Sequence, residues 1–311
     1  MTPLLAIAAF GIGAVIVVVA TEGLLEGLVD VATALRIAPF VASVILSGLE
    51  AENIAVGLAA GQRGQAEIAL GTVFGGATFL LCTALGLGAL IAPLEARLPR
   101  GVILLVPLAT LLAGLPILFG ETPRWTGVVL LAAFGLALGY LVRASRGHRF
   151  TANEEERGAG RGRSLGRAAL VTAGGIVVIA IGGEFVAIGA EGLIATIGLS
   201  AGLVGMVITP AAIEAEEVIR QVIPARRGYG DVSAGNAVGT VLYFVLFNLG
   251  LISLLTPVTV PDRVRVFDWP FLVLAATIAA LFLLRGRVGR AEGAVLAGLG
   301  VLYAALHVFR F

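Results

Sequence analysis

Two glutamate clusters, Leu49-Glu50-Ala51-Glu52-Asn53 and Ile213-Glu214-Ala215-Glu216-Glu217, each interrupt an otherwise apolar stretch of helix length, and they superpose without a gap under a shift of 164 residues. Under the same shift Arg63, Gly64, Gly71 and Gly75 fall on Arg227, Gly228, Gly235 and Gly239. A carboxylate at hydrocarbon depth costs about 2.5–3.5 kcal/mol on insertion scales. A chain that repeats such clusters at matching positions is expected to handle cations inside a membrane.

The membrane setting follows from the rest of the chain. Of its 311 residues 59% are hydrophobic and 13% charged, and the apolar ones gather into runs of about 20, the length that crosses a bilayer. The runs are solid, unlike the short alternating segments of a β-barrel, so the fold class expected is an all-α polytopic membrane protein. Ten spans emerge, at about 3–29, 37–60, 66–92, 101–119, 125–143, 168–191, 200–223, 231–256, 268–285 and 289–308. The N-terminus lacks a basic n-region and a cleavage site, so residues 3–28 read as the first span and not as a removed signal. A net charge of +1 gives no pull toward nucleic acid. The single cysteine, Cys82, lies in an apolar run and implies neither an intrachain disulfide nor thiol chemistry. Every basic residue is arginine.

The one long polar stretch runs from Arg143 to Arg167, with Glu154-Glu155-Glu156 and seven arginines, and reads as a linker. It divides the chain into halves of five spans, residues 1–143 and 168–311, joined by a loop at 144–167. An odd number of spans per half inverts the second half relative to the first, an arrangement that many transporters use to build a midplane site. The repeated motifs occupy about 37–80 and 201–244. Fifteen arginines fall in loops on one side of these spans and five on the other, with Arg220 inside a span. The positive-inside bias then places both termini outside and the loop in the cytoplasm, in a prokaryotic inner membrane.

Helix geometry sorts the acidic residues. Glu50 and Asn53 are three apart, as are Glu214 and Glu217, so each pair shares a face. Glu52 and Glu216 point about 200° away from Glu50 and Glu214 and are expected to support the site from behind, with Arg220 as an ion-pair partner for Glu216. Glu50, Asn53, Glu214 and Glu217 together offer three carboxylates and one amide oxygen, a donor set for a hard cation such as Ca²⁺. No His/Cys set selects a softer metal, since His148 lies in the loop and His307 near the C-terminus. Pro210 frees the carbonyl of Met206 four residues earlier, and Gly48 loosens span 2 in a similar way.

Other features carry simpler readings. Glu22 and Glu26 in span 1, and Glu184 and Glu191 in span 6, are as readily hydrogen-bonded groups or side chains that snorkel from helix ends. Gly71-Thr-Val-Phe-Gly75 and Gly235-Asn-Ala-Val-Gly239 are small-xxx-small motifs, which by themselves mean close helix packing.

The run Gly205-Met-Val-Ile-Thr-Pro-Ala-Ala-Ile-Glu-Ala-Glu-Glu217, then the turn through Gly228, then Gly235-Asn-Ala-Val-Gly239, resembles the second α-repeat of the cation/Ca²⁺ exchanger superfamily. In the sodium/calcium branch that repeat reads approximately G-L-x-I-V-A-x-G-T-S-x-P-E, a polar turn, and G-N-x-x-G-S-N. Glu217 falls on the family glutamate, Glu214 on its serine and Gly228 on its turn glycine. In the first repeat Gly48, Glu50 and Asn53 fall on the glycine, serine and glutamate. The resemblance implies an antiporter of Ca²⁺ and Na⁺ whose spans 2, 3, 7 and 8 form the ion-binding core, with Thr240 beside the site. Spans 1 and 6 would slide across that core, carrying Glu22, Glu26, Glu184 and Glu191. The chain also departs from the pattern. A glutamate replaces the serine in both repeats, Asn53 replaces one central glutamate, the G-S-N serines become Gly76 and Thr240, and the polar position four residues later becomes Leu80 and Phe244.

Oxygens are thus lost and carboxylates gained. Burial and like-charge neighbours favour the protonated form of a carboxyl in general, so H⁺ stands beside Na⁺ as a coupling ion for a divalent cation. A membrane-embedded enzyme or a channel with a metal-binding carboxylate cluster is the alternative. No H-E-x-x-H, G-x-S-x-G or intramembrane Asp pair supports an enzyme, and an inverted repeat favours alternating access over a channel. A purely structural membrane protein has no need of paired carboxylates.

Overall fold

Leucine, valine and alanine fill the apolar runs, and a backbone in hydrocarbon must satisfy its own hydrogen bonds, so each run closes into a helix. A computed structural model of the chain describes residues 1–34, 51–145, 164–215, 217–226, 228 and 230–309. The helices are α1 (Pro3–Ala34), α2 (Ala51–Gln62), α3 (Ala66–Ile91), α4 (Arg100–Leu118), α5 (Arg124–Ser145), α6 (Leu165–Ile197), α7 (Ala201–Ile213), α8 (Glu217–Arg226), α9 (230–255), α10 (Val264–Leu284) and α11 (Arg290–Phe309). Eight of them are long and apolar enough to cross a bilayer. The remaining expected spans, the second and seventh, are represented by α2, which is preceded by residues outside the described set, and by α7 with α8. The linker residues 146–163 also lie outside the described residues.

The offset between the glutamate clusters holds for secondary structure as well. In α3 a π segment, Phe79–Ala84, separates Ala66–Thr78 from Leu85–Ile91. In α9 a π segment, Tyr243–Asn248, separates Gly230–Leu242 from Leu249–Leu255, so all six boundaries recur 164 residues later. The turns that lead into the two helices each use a left-handed glycine, Gly64 at φ 70° and Gly228 at φ 80°, a conformation that costs other residues about 1–2 kcal/mol. These two helices are the most deeply buried of the long spans.

Loop contacts fall into two sets that share no residue. In one, β1 (Leu94–Glu95) pairs antiparallel with β2 (Arg287–Val288), Arg97 N–H donates to Asp231, and Arg290 reaches the Leu90 carbonyl. In the other, Glu121 bridges Thr259, Thr122 and Val258 exchange hydrogen bonds, Arg63 pairs with Glu184 and Glu191, and Arg263 pairs with Glu67. Ten alternating crossings require this segregation, and it agrees with two inverted halves of five.

Small residues set the helix spacing, as expected where no hydrophobic force drives helices together. A Cβ on Gly13 would stand 2.8 Å from the Gly182 carbonyl, and Gly189, Gly192 and Gly27 abut Phe10, Ala6 and Thr172, so α1 and α6 form one long antiparallel pair. Gly183 brings α6 against Ala55 of α2. Gly71 lies against the Gly205 carbonyl, and a Cβ on Gly75 would come within 2.6 Å of the Met206 carbonyl, which presses α3 onto α7. The first small-xxx-small motif is therefore a packing contact. At Gly239 of the second motif, by contrast, nothing stands within 4 Å of an added Cβ. Gly71→Val is expected to lose about 1–3 kcal/mol by overpacking, while Gly239→Ala keeps the wild-type melting temperature. Thermal unfolding of the detergent-purified variants checks both.

Candidate cation-binding site

Span 7 is broken where its acids begin. Its π segment, Val204–Ile208, gives way to Thr209–Ile213 around Pro210, and Glu214, at φ −101° and ψ 6°, ends the helix. Glu214 N–H donates to the Pro210 carbonyl at 2.8 Å, Glu217 N–H donates to the Glu214 carbonyl at 3.0 Å, and α8 starts afresh at Glu217. A carboxylate in a first helical turn is favoured by the helix dipole. This break corrects the helical-wheel expectation for Glu214 and Glu217. They do not share the face of one continuous helix; one closes α7 and the other opens α8. The Met206 carbonyl, expected to be loosened by Pro210, is the one that stands against Gly75 of α3.

Asn53 of α2 meets this break. The Asn53 side-chain amide donates to Glu214 Oε1, and both residues are buried, Asn53 completely and Glu214 to 1% exposure. Asn53 Oδ1 and Glu214 Oε2 have no hydrogen-bond partner. Glu217, equally buried, accepts from Arg220 Nη1 at 2.8 Å and from Asn236 Nδ2 at 2.9 Å. Arg220 thus reaches Glu217, and its expected pairing with Glu216 lies outside the described residues. Glu52 is buried too, and Glu52, Glu217 and Arg220 all lie within electrostatic reach of Glu214. A helical wheel turns Glu52 away from the site, yet the packing around α2 buries Glu52 as well as Asn53.

Thr240, one turn beyond Asn236, is fully buried with its hydroxyl unpartnered. Glu50 and Glu216 lie outside the described residues, as do the side chains of Glu22 and Glu26. Among the described residues no three His, Cys, Asp or Glu side chains converge as a metal-ligand group. Glu184 and Glu191 are engaged elsewhere, in ion pairs with Arg63 at the exposed turn between α2 and α3.

Two features of the site and its surroundings do not stand out in the sequence. Asn236 reads there only as a spacer in a small-xxx-small motif, and its place in the G-N-x-x-G pattern is the one signal that marks it. The second is a buried polar network around Asp268 at the start of α10. Asp268 accepts from Tyr303 Oη at 2.8 Å, lies 3.0 Å from His307 Nε2 and pairs with Arg263 at 3.3 Å. Arg263 also pairs with Glu67 of α3, and its guanidinium lies over Gly202 of α7. The network fastens four helices at one end of the bundle.

Buried carboxylates at a helix break, inside ten crossings arranged as two repeated halves, are the layout of a secondary transporter. The chain belongs to the sodium/calcium exchanger protein family, which matches over residues 5–143 and 167–309; this is a family of membrane cation exchangers. It is 24% identical over 273 residues to the inner membrane protein YrbG of Escherichia coli (strain K12), covering 85% of this chain and 84% of that protein. It is 28% identical over 135 residues to CaxA of Alkalimonas amylolytica, where the match spans 43% of this chain and only 42% of the relative. A further match, to the sodium/calcium exchanger MaX1 of Methanosarcina acetivorans, is 28% identical over 116 residues and spans 37% of this chain and 32% of that one. Structures of the sodium-calcium exchanger NCX_Mj share the fold, with a TM-score of 0.63 at 18% identity over 98% of this chain and 99% of that one.

Removing Asp268 leaves Arg263, whose side chain is 11% exposed, short of a buried counter-charge. Asp268→Ala is expected to destabilise by about 3–5 kcal/mol. Asp262→Ala, at a carboxylate 84% exposed, leaves stability unchanged within about 0.5 kcal/mol. Melting curves of the two variants test this contrast.

Proposed function

We propose that this protein is a cation antiporter that exchanges Ca²⁺ or another divalent cation for H⁺ or Na⁺ by alternating access. The site consists of Glu50, Asn53, Glu214 and Glu217, with Glu52, Glu216 and Thr240 around it. The observation that carries this reading is the amide of Asn53 fixed on Glu214 at the break in span 7, with one oxygen of each left unpartnered. Among the described residues three carboxylates, Glu52, Glu214 and Glu217, lie near one guanidinium, that of Arg220. Buried negative charge in excess calls for a cation or a proton. The repeat supports a place for Glu50 as well. The relation that carries residue 53 onto 217 carries 50 onto 214, so the symmetry mate of the Asn53–Glu214 contact joins Glu217 to Glu50.

Protons are favoured over Na⁺ as coupling ion by the packing of α3 on α9. A Cβ on Gly76 would stand 2.9 Å from the Phe244 ring, so the ring fills the space beside this glycine. Leu80 and Phe244 offer no oxygen at the positions one turn farther on. The α1–α6 pair is the element that moves, and the Arg63 ion pairs tie the α2–α3 turn to it. The halves are residues 1–143 and 168–311. The 144–167 loop is cytoplasmic, both termini lie outside, and the membrane is a prokaryotic inner membrane.

The test is labelled Ca²⁺ uptake into proteoliposomes under an outward H⁺ gradient and, separately, an outward Na⁺ gradient. The H⁺ gradient is expected to drive uptake. Uptake driven by Na⁺ alone and indifferent to pH would overturn proton coupling, and failure with both gradients would overturn Ca²⁺ as substrate. Glu214→Gln and Glu217→Gln are each expected to reduce uptake at least about tenfold, or about 1.4 kcal/mol. Unchanged uptake in both variants would remove these residues from the site.

A further inference from the structure

Asn248 is the last residue of the π segment in α9, fully buried, and neither its amide nitrogen nor its amide oxygen has a hydrogen-bond partner. A buried side-chain amide with nothing to bond is unfavourable, so a partner absent from the protein itself is indicated. The packing of α2 on α9 shows where that partner would sit. A Cβ on Gly57 would stand 2.8 Å from Ile252 Cδ1, and one on Gly61 would run into Thr256. Both pairs are 195 residues apart, so the two helices run parallel in constant register. One turn earlier, the same register carries Asn53 to position 248. Asn53 shares a helix face with Gly57, and Asn248 lies one turn before Ile252. The π segment itself touches α2. Segments of this kind re-aim side chains by adding a residue to the turn, and they recur at functional sites.

We infer that Asn248 is a further ligand of the cation site, facing Asn53 across the α2–α9 contact. Its amide oxygen joins Asn53 Oδ1 and Glu214 Oε2, giving a hard cation three unpartnered oxygens from three spans. A neutral donor suits this position because the carboxylates already carry the charge. The counterpart 164 residues earlier is Ala84, so the second repeat alone supplies this ligand and the site is asymmetric. The inference rests on the antiporter reading above and extends its ligand set.

The experiment is equilibrium binding of labelled Ca²⁺ to the detergent-purified full chain, compared among wild type, Asn248→Leu, Asn248→Ala and Asn248→Asp, with metal-free melting temperatures measured in parallel. The leucine and alanine variants are expected to bind Ca²⁺ at least about tenfold more weakly. Aspartate, which keeps an oxygen at the same branch, is expected to restore binding to within about threefold of wild type. Alanine is the readout if leucine does not yield a monodisperse protein. Wild-type affinity in the alanine variant would overturn the assignment while leaving the antiporter reading intact. Aspartate binding as weakly as alanine at an unchanged melting temperature would overturn it in the same way. Absence of Ca²⁺ binding by the wild type would overturn both.

Discussion

Carboxylates enclosed within a bundle of apolar helices are the constraint around which the rest of this molecule is arranged. Glu52, Glu214 and Glu217 are each at most 2% exposed, in a chain whose outer surface is apolar along most of its helices. Such charge persists only where protein groups and exchangeable cations compensate it. The chain meets that demand with a break in its seventh span. Pro210 and the bridge-region backbone of Glu214 end one helix, and Glu217 opens the next at a terminus that favours an anion. Asn53 and Asn236, from helices in opposite halves, then fix the two carboxylates by donating to them.

Holding the break requires close approach of helices, and the glycines of α3 and α7 provide it. Gly71, Gly75 and Gly205 let the two helices touch through their backbones, placing the Met206 carbonyl against α3. The Asp268 network fastens the far end of the same pair by seating Arg263 on Gly202 while pairing it with Glu67. The α1–α6 pair has another character. It is joined to itself along its length by small residues, and it meets the core along α2, at Gly183 and through Gln65 and the Arg63 ion pairs, and at α7. A tightly knit core beside a separately knit helix pair suits alternating access, in which one part rocks against a fixed site.

Much of the fold is legible in the sequence because hydropathy and repetition are coarse signals that survive without knowledge of contacts. The apolar runs locate the eight long helices, while most of span 2 lies outside the described residues, and the π segments repeat at the same offset as the glutamate clusters. Pro210 lies inside α7, and the break falls one turn later, at Glu214. The consequences of the break are not legible, because a helical wheel assumes a continuous helix and so puts Glu214 and Glu217 on one face. The grouping of Asn53 with Glu214 is legible from the repeat, while the hydrogen bond between them is not. Asp268 and the Tyr303–His307 pair give no signal because they come from the ends of two different spans, where hydropathy reads them as boundary residues. Their contact depends on tertiary packing that no local spacing records.

Counterflow tests the central claim most directly. Proteoliposomes loaded with labelled Ca²⁺ are diluted into medium with and without unlabelled Ca²⁺ at equal pH and no membrane potential. A single site that faces one side at a time predicts faster release of label when unlabelled Ca²⁺ is present outside, because the loaded carrier returns more readily than the empty one. Release at the same rate in both media would contradict alternating access at the Asn53–Glu214 site and return the protein to the class of channels.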